Sequence, residues 1–164
     1  MEKVLVSACL LGKRVRYDGN AKSSGSEILA QWQAEGRVVA VCPEVDAGLP
    51  TPRAPAEIIA GDGGGVLAGS AQVVDRHGEN LTAAFLSGAS LALQLCQRHD
   101  IKVAVLTEHS PSCGSTEIYD GSFAGTRILG AGVTTVLLRH HGVCVFNQHE
   151  IVEAQRVMDA LHQS

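Results

Sequence analysis

Aromatic side chains are scarce here, 4% of 164 residues, with one Trp, two Tyr and three Phe. That scarcity excludes a stacking platform for nucleic acid and leaves the interior to Val, Leu, Ile and Ala. Positive charge is not in excess either: 13 Lys and Arg stand against 17 Asp and Glu, a net charge of −4. Long polyanions are held mainly by neutralising their phosphates, so a protein that binds them unaided is not expected, while a small anion is allowed. No apolar stretch approaches the roughly 18 residues that would span a bilayer. The sequence enters a strand-like run at residues 3–6, which leaves no room for a signal peptide, so the expected setting is cytoplasmic and away from membranes. The five cysteines include no CxxC pair. In a reducing compartment such an odd set reads as ligands plus buried thiols rather than as a disulfide framework. Nothing in the sequence sets the oligomeric state.

What is present is an ordinary globular composition, 45% hydrophobic and 18% charged, long enough for one domain over 1–164 with a continuous core. Valine-rich runs at 3–6, 37–41, 102–106, 133–138 and 143–146 alternate with segments of helical period at 26–34, 81–98 and 150–161. That order predicts an α/β fold, three-layered and Rossmann-like, with a mostly parallel sheet and helices on both faces. The pattern predicts a long polar loop over 12–25, a glycine-rich hairpin tip at 61–65, and a rigid extended loop over 49–55, with Pro50, Pro52 and Pro55.

Three cysteines stand where an apolar run gives way to a turn: Cys9, Cys42 and Cys113. In a parallel sheet the carboxyl ends of the strands open toward one edge, where ligands bind. Three thiolates meeting there, with no fourth cysteine similarly placed, point to a metal or iron-sulfur cluster with one coordination position open. Cys96 falls on the apolar face of helix 81–98 with Phe85, Ala89, Ala92 and Leu93, and Cys144 alternates within a strand. Both read as packed thiols. Glu44, two residues past Cys42 and stiffened by Pro43, is placed to act on a water beside a metal-activated substrate. Ser110 and Ser112, alternating around Pro111, can offer hydroxyls and backbone N–H groups to a ligand. A rival constellation adds His109, or His140 and His141, to the thiols as a three-cysteine, one-histidine zinc site. It ranks second, because structural zinc usually draws its ligands in close pairs. A non-catalytic redox-sensing module built on the same thiols is the alternative of a different class.

These motifs carry a resemblance. Ser7-Ala8-Cys9-Leu10-Leu11-Gly12 with Arg16-Tyr17-Asp18-Gly19, then Cys42-Pro43-Glu44-Val45 with Gly48-Leu49-Pro50-Thr51-Pro52-Arg53, then Ser110-Pro111-Ser112-Cys113-Gly114 with Tyr119-Asp120-Gly121, resemble the DUF523 family, to which the thiouracil desulfidases belong. The resemblance implies a [4Fe-4S] cluster on Cys9, Cys42 and Cys113 with one iron not ligated by protein. It implies hydrolytic, non-redox removal of sulfur from a thiolated pyrimidine such as 4-thiouracil or 4-thiouridine monophosphate. Glu44 would be the base for water and Ser110 a proton donor or orienter. Ser112, Arg14, Arg16, Tyr17, Asp18 and Arg53 would face the substrate, with Arg14, Arg16 and Arg53 the candidates for the phosphate of a nucleotide. The sequence departs from the family pattern at Thr107-Glu108-His109, where a basic residue is common, and at Asp46-Ala47, where paired glycine is usual.

Overall fold

A computed structural model of the chain describes residues 2–11 and 27–163. The predicted substrate contacts Arg14, Arg16, Tyr17 and Asp18 lie outside the described residues.

Four short strands, β1 (Val4–Ser7), β2 (Val38–Val41), β5 (Val103–Leu106) and β8 (Cys144–Asn147), form a parallel sheet in the order β2-β1-β5-β8. Successive side chains alternate between the two faces, and each face has its own cover. Val4, Val6, Val103 and Val105 pack on Leu29 and Trp32 of α1 (Glu27–Ala34) and on Ile151, Ala154 and Met158 of α6 (Ile151–Gln163). Leu5, Val41, Ala104 and Leu106 pack on Ala92 and Cys96 of α4 (Thr82–His99) and on Leu138 of α5 (Val133–His140). The expected sheet with helices on both faces is what these valine-rich runs build. Among the described residues no helix is long and apolar enough to cross a membrane.

A second, antiparallel layer stands beside the sheet. It comprises the pair β3 (Ala56–Ile59) and β4 (Gln72–Asp75) and the hairpin β6 (Glu117–Tyr119) and β7 (Arg127–Leu129). A third apolar cluster, with Ile58, Val73, Phe85, Ile118 and Val133, ties it to α4 and α5.

Four expectations are corrected. Residues 133–138 are not a strand but most of α5: a short β-branched apolar run cannot be told from a buried helix by periodicity, and here tertiary contacts decide. The N–H groups of Val133 and Thr134 bond to the carbonyls of Pro111 and Ser112, so the loop after β5 caps this helix with its own backbone. Gly132 permits the approach, since a Cβ there would land on the Ser112 backbone. The glycine-rich segment 61–65 does connect an antiparallel pair, but as the start of α3 (Gly63–Ala68), with Asp62 accepting from the Gly65 N–H. Cys144 is exposed rather than packed: it opens the edge strand β8 and joins none of the three apolar clusters of the described residues. His140 and His141 accordingly end a helix, not a strand.

Candidate metal centre and active site

All three strand-end cysteines line one cavity of about 400 Å³, which the antiparallel layer closes on its other side. Cys9 lies in a one-turn 3-10 helix, Ala8–Leu11, directly after β1. Cys42 directly follows β2 and precedes the short helix α2 (Pro43–Asp46). Cys113 is in the loop after β5, whose turn is closed by the Gly114 N–H bonding to the Ser110 carbonyl. Since β2, β1 and β5 are neighbours in the sheet, three adjacent carboxyl ends deliver the three thiols. Cys96 is buried under the sheet, and neither it nor Cys144 borders the cavity.

Burial and the nearby negative charges of Glu44 and Asp46 push the Cys42 thiol up to about 11, against relief from the Val45 backbone and Arg53. Cys113 is pushed higher still by burial and by the charges of Glu44, Cys42 and Cys9, with the Ser112 hydroxyl opposing. Thiols in this setting stay neutral unless a cation compensates them, and a bound metal centre supplies such compensation. Among the described residues, no three His, Cys, Asp or Glu side chains converge closely enough to hold a single metal ion. Three thiols delivered by three separate strand ends, with no close ligand pair among them, suit an iron-sulfur cluster better than a structural zinc, which draws its ligands in close pairs. His109 borders the cavity, but its Nε2 lies 2.8 Å from Arg127 Nη1, and His140 and His141 sit at the far end of α5 from the loop carrying Cys113.

Glu44 reaches the cavity from the first turn of α2. Its Oε1 accepts from the Ser110 hydroxyl at 3.3 Å and its Oε2 is ion-paired with Arg53. Ser110 Oγ in turn accepts from the N–H groups of Ser112 and Cys113 at 3.0 and 3.1 Å. Two donors into one hydroxyl polarise it as a donor, so Ser110 and Glu44 form a directed chain anchored in the backbone beside Cys113. α2 is seated by Gly88 of α4, where a Cβ would land on the Pro43 carbonyl.

Two predicted substrate contacts have other attachments. Arg53, besides Glu44, donates to the Pro50 carbonyl and to Thr51 Oγ1, so its guanidinium is engaged within the rigid loop. Ser112 is fully buried, its hydroxyl 2.7 Å from Thr134 Oγ1, and it does not border the cavity.

Sequence reasoning missed two supporting residues. Thr107 Oγ1 is 2.8 Å from Cys9 Sγ, linking the end of β5 to the first thiol. Glu108, noted only as a departure from a family pattern, is a buried hub. Its carboxylate accepts from the N–H and hydroxyl of Ser115 and Thr116, from the His109 N–H and from Asn147 Nδ2. Burial alone would raise its pKa, but the hydrogen bonds from Thr116, Ser115 and His109 prevail and hold it near 2. Hydroxyl residues seven and eight places after a carboxylate are the only trace of this hub in the sequence.

The sequence profile of the 2-thiouracil desulfurase family matches residues 4–150. This chain belongs to that family. Membership agrees with the resemblance drawn from the cysteine motifs. The Bacillus subtilis (strain 168) protein YbbK, itself uncharacterized, is 41% identical over 148 residues, spanning 90% of this chain and 97% of that protein. Among solved structures, the [4Fe-4S]-dependent thiouracil desulfidase TudS is 48% identical with a TM-score of 0.89, covering 98% of this chain and 99% of that one.

Proposed function

We propose that this protein is an iron-sulfur-dependent thiouracil desulfidase that converts a thiolated pyrimidine, such as 4-thiouracil or 4-thiouridine monophosphate, to the oxo-pyrimidine and hydrogen sulfide. The observation that carries the reading is the one cavity bordered by Cys9, Cys42 and Cys113 together with the hydrogen-bonded pair Glu44 and Ser110. Its donor set fits a [4Fe-4S] cluster held by those three thiolates, with the fourth iron left without a protein ligand. When bound, the cluster supplies a soft Lewis acid for the thiocarbonyl sulfur. The reaction exchanges the C=S bond for C=O with one water consumed and one hydrogen sulfide released, so no electron donor is required.

The chain's own groups supply the proton handling. Glu44, a carboxylate with acceptor capacity beyond its two contacts, takes a proton from the attacking water. Ser110 fixes the direction of that carboxylate and presents a hydroxyl polarised by two backbone N–H groups. Arg53 holds the other carboxylate oxygen, a positioning role we assign it in place of a phosphate contact. The remaining phosphate candidates are Arg14 and Arg16, with Tyr17 and Asp18 as further substrate contacts. The net charge of −4 favours a free base or nucleotide over intact tRNA. We read 1–164 as one catalytic domain, and a thiol set of this kind as one that works in the reducing cytoplasm.

Protein prepared without oxygen is expected to carry about four irons and four sulfides per chain, and to consume 4-thiouridine monophosphate, followed by its absorbance, with equimolar sulfide release. Glu44→Gln is expected to keep the iron and lower kcat by about 10²- to 10⁴-fold, the usual weight of a positioned base. Wild-type protein that loads iron but leaves the thiolated substrate intact would overturn the enzyme reading in favour of a redox-sensing module.

A further inference from the structure

The turn joining β6 to β7 puts a bulky aromatic where the backbone resists one. Phe123 has φ +58°, a left-handed conformation in which a residue with a large side chain is an outlier. Such positions cost free energy and persist only where neighbouring structure over-determines them. Here the neighbour is Glu57 of β3, a buried carboxylate whose Oε1 accepts from both the Gly121 N–H at 2.9 Å and the Phe123 N–H at 3.2 Å. Asp120 holds the same turn from within, accepting from the N–H and hydroxyl of Ser122. This brace does not serve the core: among the described residues Phe123 joins none of the three apolar clusters, and it stays partly exposed. Phe123 borders the cavity that the three thiols and Glu44 also line, alongside Tyr119 of β6. In a chain with only three Phe, one is thus held in strain, by a dedicated buried carboxylate, at the wall of the site.

We infer that Phe123 is the stacking surface for the planar heteroaromatic ring of the substrate, aimed by Glu57, and that it sets the preference for a pyrimidine over a non-aromatic thioamide. The inference rests on the desulfidase reading and adds the residue that recognises the ring. Base-on-aromatic stacking is sequence-tolerant and worth about tenfold or more in affinity when the aromatic is removed.

The test uses anaerobically prepared holoprotein, with uracil binding followed by ligand-observed NMR titration and 4-thiouracil turnover measured alongside. Phe123→Asn, which suits the left-handed backbone, is expected to melt at or above the wild-type temperature yet bind uracil on the order of tenfold more weakly, with KM raised to match and kcat little changed. Phe123→Leu, apolar but unable to stack, should show the same loss, and Phe123→Tyr should restore binding. Uracil binding at wild-type strength in both Phe123→Asn and Phe123→Leu overturns the inference, as does a loss of melting temperature with binding intact. If wild type binds uracil through Phe123 but releases no sulfide from 4-thiouracil, the desulfidase reading fails and the ring platform stands.

Discussion

The carboxyl edge of the parallel sheet and the antiparallel layer opposite it border the same cavity but are held by different means. At the sheet edge, position follows from topology. Three neighbouring parallel strands end together; Cys42 directly follows β2, Cys9 comes in the turn after β1, and Cys113 sits further along, in the loop that leaves β5. In the antiparallel layer, position follows from individual polar contacts: Glu57 onto the turn bearing Phe123, and Glu108 onto the loop between Cys113 and β6. The first arrangement suits a rigid cofactor, whose ligands must be fixed relative to one another. The second lets the substrate-facing wall change without disturbing the ligands, since side-chain contacts in a turn can be rewired while strand order cannot.

The sharpest way to break this comparison is to remove one thiol. Cys113→Ser is expected to lose most bound iron and at least 10³-fold in turnover while the apoprotein keeps its helical circular dichroism, since the sheet is held by apolar packing on both faces. Cys96→Ser, in the core and away from the cavity, should do the reverse: iron and turnover per folded molecule retained, melting temperature lowered by the buried hydroxyl. Full iron in Cys113→Ser would remove this cysteine from the ligand set.

That contrast also explains what was legible in the sequence. Valine runs followed by Cys at turns signal strand ends, and parallel order brings strand ends together, so the placement of the three thiols and Glu44 around one cavity is legible in the sequence. The strand assignment at 133–138 failed because Val133, Thr134 and Thr135 carry β-branched side chains, and only the carbonyls of Pro111 and Ser112, contacts more than twenty residues distant, select the helix. Arg53 reads from the sequence as a candidate phosphate contact, since charge alone does not say which partner a guanidinium chooses. In the structure Glu44, nine residues away across the proline-rich loop, is already there.

Glu108 tests the polar-contact half of the comparison. Its pKa near 2, below the ordinary 4.5, means the folded state holds the carboxylate ionised where the unfolded chain would protonate it. A depressed carboxylate adds stability above its unfolded value, and that stability is lost as pH falls from about 5 toward 2. Glu108→Gln is therefore expected to lower unfolding free energy at pH 7 by roughly 2 kcal/mol, with the gap from wild type closing as pH drops toward 2. Denaturant titrations at pH 7 and pH 3 measure it, and a gap independent of pH would show that the contacts act through shape rather than charge.

Gly88 asks whether the sheet edge tolerates a nudge. In the middle of α4, alanine is favoured over glycine by up to about 1 kcal/mol through helix propensity. Yet a Cβ here meets the Pro43 carbonyl, which sits in backbone and cannot swing aside. Overpacking against backbone costs about 1–3 kcal/mol, so Gly88→Ala should be destabilising by about 1 kcal/mol net. Because Pro43 lies between Cys42 and Glu44, turnover should fall further than stability alone explains, readable as a lowered kcat in protein that is fully folded at the assay temperature.

The smallest expected effect belongs to Cys144. It is exposed at the start of the edge strand β8, away from the cavity, and pairs through its backbone with Val103. Cys144→Ser leaves that ladder intact and exchanges one solvent-facing group for another of nearly equal size, so stability should stay within about 0.5 kcal/mol, as for surface changes generally. Iron content and turnover should be unchanged. The variant thus separates a chemical property of cysteine from its position: five thiols share one chemistry, and only the three at adjacent strand ends should respond to iron. If Cys144→Ser lost iron as Cys113→Ser is expected to, ligation could not be assigned to the sheet edge, and the convergence of β2, β1 and β5 would no longer account for the site.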